Sequence, residues 1–263
     1  MTMAAVSTDL GPLFGNARDF LLGWGCTHRL DADLALYRSG ISHPQLNGVV
    51  GLRHGGLDEA LTEATARLAD VPWLWWVGAD SRPGLTEDLL TRGATTVGKA
   101  PVMAIDLDEV GGADGPAELR IAEVTGAGGA DELAEWVRAY RVPFGFTVEQ
   151  TDEVIKAEES RPTDSVVRFA GRVEGRIVGT SVLFAAHGVA GVYNVATVEA
   201  YRRQGVGTRL TAAALRAGRE RGLRIGTLQA TSMGASMYRR MGFSQVSGYR
   251  LLQLPQSTDH PPS

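Results

Sequence analysis

The apolar positions of the second half of the chain switch repeatedly between a period of two and a period of three to four. Leu133, Trp136, Val137 and Tyr140 recur at helical spacing, which predicts a helix over residues 131–140 with one buried face. Residues 143–146, Pro-Phe-Gly-Phe, read as a turn, and residues 147–159 as a second helix. Residues 165–172 and 176–184, joined at Glu174-Gly175, read as a hairpin. Residues 118–124 and 191–198 are predicted strands. Residues 205–221 form a predicted helix with Val206, Leu210, Ala213, Ala214 and Ala217 inward, closed by Gly222. Strand, helix and strand follow at 224–229, 235–241 and 245–252. The second half thus alternates short strands with helices, an α/β pattern.

Residues 106–117, DLDEVGGADGPA, are acidic, glycine-rich and without periodicity, and they mark a break. The expected division is a first domain at 1–110, a linker at 111–117, a second domain at 118–254 and a loose tail at 255–263.

Composition narrows the class. The net charge of −4 conceals an asymmetry: residues 1–117 hold 8 Lys+Arg against 15 Asp+Glu, a balance of −7, while residues 118–263 stand at +3. Residues 201–250 contain ten arginines and one acid, Glu220, a tract suited to a polyanion or a phosphate-rich cofactor. The amino terminus lacks the basic start and apolar run of a signal peptide. No apolar stretch approaches the roughly 18–20 residues of a membrane helix. The single cysteine, Cys26, excludes an internal disulfide and a thiolate metal cluster, and His28, His43, His54, His187 and His260 lack metal-ligand spacing. The expectation is a cytoplasmic protein without a metal, not associated with membrane or nucleic acid.

The chemistry concentrates in VYNVATVEAYRRQGVGTRL, residues 192–210. A strand ends, a loop with two glycines follows, and a helix starts at once. Glycines let the backbone close on a ligand, and the helix start offers free N–H groups and the positive end of the dipole. The combination suits a pyrophosphate. A nucleotide-binding P-loop is excluded, because no Gly-Lys-Ser or Gly-Lys-Thr occurs. A dinucleotide-binding turn fails as well: Leu210 stands where the third glycine belongs, and no acid occurs from Arg221 to Thr258.

Arg202-Arg203-Gln204-Gly205-Val206-Gly207 fits the Q/R-x-x-G-x-G/A pyrophosphate loop of the GNAT N-acetyltransferase superfamily at every defined position. Downstream, ATSMGASMYRRMGF resembles the superfamily's N-x-x-A-x-x-L-Y-x-x-x-GF signature, with Tyr238 and Gly242-Phe243 in register. Thr231, Gly234 and Met237 depart from it. The resemblance covers residues 118–254. It implies an α/β fold with an antiparallel-to-parallel mixed sheet that splays open between the strands at 193–198 and 224–229, with acetyl-CoA as co-substrate. The pantetheine arm would lie along Val195, Ala196 and Thr197, and the pyrophosphate on Arg202, Arg203, Gln204, Gly205, Val206, Gly207 and Thr208. Thr231 and Ser236 would complete the cofactor contacts. Tyr238 would act as general acid toward the departing thiolate, a role its neutral hydroxyl suits; the other reading is a packed helix tyrosine. The base stays open among Glu199, Glu149, Asp152 and a water chain. Tyr193, Asn194, Phe144 and Phe146 would face the acceptor, unless the two phenylalanines are plain core.

The first half echoes the second at an offset of 149: DLLTRGATTV lines up with MYRRMGFSQV, placing Gly93 on Gly242 and Val97 on Val246. The same offset sets Arg53-His54-Gly55-Gly56-Leu57-Asp58 on the pyrophosphate loop, with Leu89 in place of Tyr238 and Asp58 in place of Gly207. This reads as a tandem GNAT-like duplication whose first copy is degenerate, resembles the non-catalytic halves of two-domain members, and serves as lid or substrate wall. The expected function is N-acetylation of a primary amine on a small molecule or amino-acid-like metabolite. A protein or peptide amine is the alternative acceptor, and a non-catalytic acetyl-CoA sensor the alternative class.

Overall fold

A computed structural model describes residues 9–25, 33–125, 130–161 and 165–255. Cys26 and His28 lie outside the described residues, as does the tail from 256 onward, including His260. The first half runs α1 (Gly11–Leu22), β1 (Leu34–Arg38), β2 (Asn47–Leu52), α2 (Leu57–Leu68), β3 (Leu74–Val77), α3 (Leu85–Thr91) and β4 (Thr95–Asp106). The second runs β5 (Arg120–Glu123), α4 (Ala130–Phe144), α5 (Thr151–Glu159), β6 (Val166–Val173), β7 (Arg176–Ala186), β8 (Val189–Thr197), α6 (Val206–Glu220), β9 (Ile225–Gln229), α7 (Ala235–Arg240) and β10 (Ser244–Gln253).

The residues that predict these elements also explain their ends. The β6–β7 turn has Glu174 at φ 49° and Gly175 at φ 82°, the two left-handed residues a tight hairpin turn requires. Val206, Leu210, Ala213, Ala214 and Ala217 are all buried on α6. One boundary differs from expectation. Helix α4 continues through Pro143 to Phe144 and is ended by Gly145 at φ 78°, so residues 143–144 are helical and α5 begins only at Thr151. Between them Thr147 and Gln150 bond each other's backbone amides, a short local turn that replaces the expected first helical turn.

All ten strands form one mixed sheet in the order β1-β2-β3-β10-β4-β9-β8-β7-β6-β5. The order contains an exchange. β4, the last strand of the first half, pairs with β9 from Val102↔Gln229 to Asp106↔Ile225. β10, the last strand of the second half, pairs with β3 at Trp76↔Leu251 and with β4 along most of its length. Each half thus lends its final strand to the other's side of the sheet. The element order β1-β2-α2-β3-α3-β4 repeats as β7-β8-α6-β9-α7-β10. At the offset of 149, Leu57 falls on Val206 and Thr95 on Ser244, the first residues of matching elements.

Three apolar clusters follow from this arrangement. One joins α6 and α7 to the sheet through Met103, Ile105, Leu210, Leu228, Tyr238 and Phe243. Another lies on the face covered by α1, α4 and α5 and contains Phe14, Phe20, Trp76, Trp136, Tyr140 and Tyr249. The third, around Trp75, fills the space under α2 and α3 and takes in Leu252 from β10.

Candidate active site

Strands β8 and β9 pair in parallel only at Val189↔Ile225, Ala190↔Gly226 and Gly191↔Thr227. Beyond Gly191, β8 stays bonded to β7 as far as Thr197 while β9 leaves it, so among the described residues one edge of β8 from residue 192 onward has no strand partner. A register shift between Thr180 and Val182 opposes Asn194, whose φ is 48°. This is a β-bulge, which re-aims the backbone where a strand approaches a site. The Thr180 hydroxyl donates to the Asn194 carbonyl (2.7 Å), and the Asn194 side chain donates to Glu158 Oε1 (3.3 Å). The bulge is therefore held from both sides, while Val195 and Thr197 remain half-buried along the open edge.

Past β8 the chain makes a short turn at Glu199–Tyr201, where the Arg202 amide bonds the Glu199 carbonyl (3.1 Å). Arg203 (φ 64°) and Gly205 (φ 84°) are left-handed, and α6 begins at Val206 with no acidic residue in its first turn and no side-chain cap. The first amides of a helix lack intrahelical acceptors, and here no side chain caps them. The linker packs behind the loop: Arg209 Nη1 donates to the Pro116 carbonyl (2.6 Å), and a Cβ on Gly205 would collide with the Asp114 carbonyl. At Gly207 a Cβ would make only ordinary contacts, 3.5 Å from Met237 Sδ and 3.6 Å from Thr197 Oγ1. Arg202, Arg203 and Gln204 are exposed.

Tyr238 is buried on α7, its ring edge-on to Phe243 at 5.7 Å between centroids. Burial pushes its hydroxyl up to about 12. The Thr211 hydroxyl on α6 lies near enough to oppose that rise, yet it makes no hydrogen bond of good geometry and has no other partner. Thr231 is exposed and its hydroxyl oxygen accepts the Gly234 amide (3.1 Å), which leaves its own proton for a ligand. Ser236 is exposed on α7.

Residues 166–245 match the family model of the acetyltransferase (GNAT) domain. The chain contains a GNAT acetyltransferase domain. The match begins with β6 and ends in β10, so it spans the bulge, the glycine loop, α6 and α7. No curated protein matches the chain in sequence. Among solved structures it is similar to a GCN5-related N-acetyltransferase from Kribbella flavida (TM-score 0.70, 21% identity, 95% of this chain and 97% of that one). It is also similar to a functionally unknown conserved protein from Staphylococcus epidermidis (TM-score 0.62, 16% identity, 88% and 93%). A third is a tandem GNAT protein from the clavulanic acid biosynthesis pathway, described without AcCoA (TM-score 0.58, 14% identity, 98% and 98%). These likenesses extend over both halves and establish the GNAT fold, tandem in the last of them.

The remaining sequence-predicted residues separate into groups. Tyr193 stacks on Phe20 of α1 (3.7 Å, 7°) and donates its hydroxyl to Asn16 (2.7 Å), so that hydroxyl is engaged by the first half. Phe146 is buried against Tyr140 and His43, and Phe144 stacks beside it at 6.3 Å, an arrangement that belongs to the apolar core. Glu199 is exposed on the turn before the glycine loop, Glu149 is exposed in the turn ahead of α5, and Asp152 is exposed in the first turn of α5. None of these three acids is buried beside the bulge. The acid that is buried there is Glu158, a residue sequence reasoning passed over. Its Oε2 binds Arg168 Nη2 (2.7 Å) and Nε (3.0 Å), and its Oε1 accepts Tyr140 (3.2 Å) as well as Asn194. An arginine in the middle of the apolar strand VVRFAGRV was the available signal, since a buried arginine requires a buried acid.

Proposed function

We propose that the chain is an acetyl-CoA-dependent N-acetyltransferase acting on a primary amine of a small, amino-acid-like molecule. The observation that carries this reading is the divergence of β8 from β9 beside an acid-free glycine loop at the head of α6. The local residues suit coenzyme A. Left-handed Arg203 and Gly205 and the uncapped first turn of α6 form a concave set of amides for the pyrophosphate. The open edge of Val195, Ala196 and Thr197 offers strand-like bonding to the pantetheine amides. Arg202, Gln204, Val206, Gly207 and Thr208 border the same loop, and Thr231 and Ser236 face solvent on the α7 side.

When bound, acetyl-CoA supplies an acetyl thioester whose C–S bond breaks as the amine nitrogen bonds to the carbonyl carbon. The backbone N–H groups at the Asn194 bulge are suited to stabilise charge on the carbonyl oxygen. Tyr238, kept neutral by its burial, gives its proton to the sulfur. The amine sheds its proton to water, because the acids placed near the site are either exposed or, in Glu158, already paired with Arg168. The proposal includes a cytoplasmic protein with no nucleic-acid partner. Among the described residues no helix is long and apolar enough to cross a membrane.

The first half is proposed to be a degenerate copy. At its equivalent loop the amides of His54 (2.8 Å) and Gly55 bond the Asp33 carboxylate, and Asp58 in the first turn of α2 pairs with Arg92 (2.7 Å). A carboxylate of the chain itself occupies the place where a pyrophosphate would sit. Thiol release from acetyl-CoA across a panel of amines tests the activity; thiol release no faster with any amine than without one rejects it.

A further inference from the structure

Between the C-terminal end of α1 and the bulge of β8 lies a buried charged cluster whose signs do not balance. It contains two guanidinium groups, Arg161 and Arg168, and one carboxylate, Glu158, all buried. Arg168 takes both a side-chain oxygen and the backbone carbonyl of Glu158, whose other oxygen accepts from Tyr140 and Asn194; this single carboxylate also attracts Arg161, so it serves two guanidinium groups. Tyr140 and Tyr193 face the same cluster and remain neutral, since burial raises both hydroxyls. One positive charge is left over.

Arg161 is only 4% exposed. Its Nη2 donates to the Phe20 carbonyl (3.0 Å), and its guanidinium carbon lies 4.2 Å from the Phe20 ring and 4.7 Å from the Trp24 ring. The carbonyl in the last turn of α1 and the two ring faces soften the charge. They do not neutralise it. Nη1 is buried and, among the described residues, has no hydrogen-bond partner. A buried cation is ordinarily met by an anion, and a guanidinium nitrogen left bare is the kind of group that receives one. Its position is informative. Phe20, on which Arg161 rests, stacks on Tyr193, the residue immediately before the Asn194 bulge. Phe20 therefore links the Arg161 guanidinium to the Tyr193 ring on β8, within the apolar cluster under α1, α4 and α5.

We propose that Arg161 Nη1 binds the carboxylate of the acceptor, so that the substrates are amines carrying a carboxylate, the amino-acid class. This rests on the acetyltransferase reading above. The carboxylate is held while the amine nitrogen attacks the thioester carbon; the thiolate takes its proton from Tyr238 and the amine gives its own to water.

The test compares the common amino acids, each with its amide and its decarboxylated amine, in the whole chain and in Arg161→Gln and Arg161→Lys. At least one amino acid should exceed its amide and its decarboxylated amine in kcat/KM by on the order of 10²-fold, the scale of losing one partner of a buried charge pair. Arg161→Gln should remove that preference through KM, and Arg161→Lys should restore part of it. The melting temperature of Arg161→Gln should hold or rise, because an unbalanced buried charge is removed; a fall of many degrees would assign Arg161 to structure. Equal rates for acids and amides, or an unchanged KM in Arg161→Gln, would overturn the proposal. If no amine is acetylated although coenzyme A binds, the activity fails separately. Calorimetry of the same amino acids and their N-acetyl products against the coenzyme A-loaded chain then decides. Binding lost in Arg161→Gln supports the carboxylate site, and no binding to the parent chain rejects it.

Discussion

Tyr238 and the two loop glycines show how differently single residues at one site are constrained. Replacing Tyr238 by Phe removes a hydroxyl whose proton is held up to about 12 by burial. Turnover should fall by on the order of 10²-fold while acetyl-CoA affinity stays nearly constant, as expected for losing a general acid. Retention of near-parental turnover where chemistry limits the rate would show that Tyr238 only packs. The direction of the shift has a second consequence. An acid with a raised pKa stays protonated past pH 10, so the rate should lack an alkaline limb near 10. Gly207 offers the cleaner probe of the anion site, because an added side chain there meets nothing closer than Met237 and Thr197. Gly207→Val should weaken coenzyme A binding at least tenfold with little change in melting temperature, and unchanged calorimetric affinity would remove the loop from the cofactor site. Gly205→Val is a different experiment. Gly205 is left-handed and abuts the Asp114 carbonyl, so this change should cost on the order of 1–3 kcal/mol of stability whether or not a ligand is present.

Among the elements, α1 reaches the β8 bulge from the first half and was the least legible in the sequence. Asn16 is fully buried and spans four partners: its Nδ2 donates to the carbonyls of Phe184 (3.0 Å), Ala186 (3.1 Å) and Val189 (3.4 Å), and its Oδ1 accepts Tyr193. Together with His187–Asp19 at 2.7 Å, this fastens α1 to the β7–β8 hairpin. Asn16→Ala strands several buried polar groups and should lower stability by about 1–3 kcal/mol, read from denaturant midpoints; a change below a few tenths would show that water replaces the amide. Helix α6 and the β6–β7 hairpin were legible because local rules specify them: a five-residue apolar face, and a Glu-Gly turn. The glycine loop was legible because its spacing is itself the chemical requirement. The neighbours of Tyr193 and Asn194 were not. Asn16, Phe20 and Glu158 lie far from them in sequence, and nothing in their local pattern distinguishes a residue on a distant strand's face from an ordinary helix position.

At the scale of the whole molecule the exchange of final strands decides what the halves can do alone. The 149-residue echo exposed the repetition of elements, but a repeat does not say with which copy its last strand pairs. Long-range pairing of β4 with β9 and of β10 with β3 is settled by packing across the sheet. One functional anion site follows from the same comparison: a titration should show one coenzyme A per chain, since Asp33 already holds the first-half loop, and two binding events would contradict this. The fragment from residue 118 onward keeps every residue proposed to touch the cofactor. It loses β4, however, and with it five strand pairs to β9 and the partner of nearly all of β10. Met103 and Ile105 vanish from the cluster that seats Tyr238, and Leu251 and Leu252 lose Trp76 and Trp75. Exposed β9 and β10 edges invite association between chains. The fragment should therefore be aggregated or inactive, and adding residues 1–117 as a separate chain should restore coenzyme A binding if the exchange is the only defect. One alternative fold remains open to the fragment. β10 could close back onto β9 in the place of β4, restoring an unexchanged sheet. A soluble, fully active fragment would mean that this closure is accessible, and that the first half contributes neither a needed strand nor a needed wall.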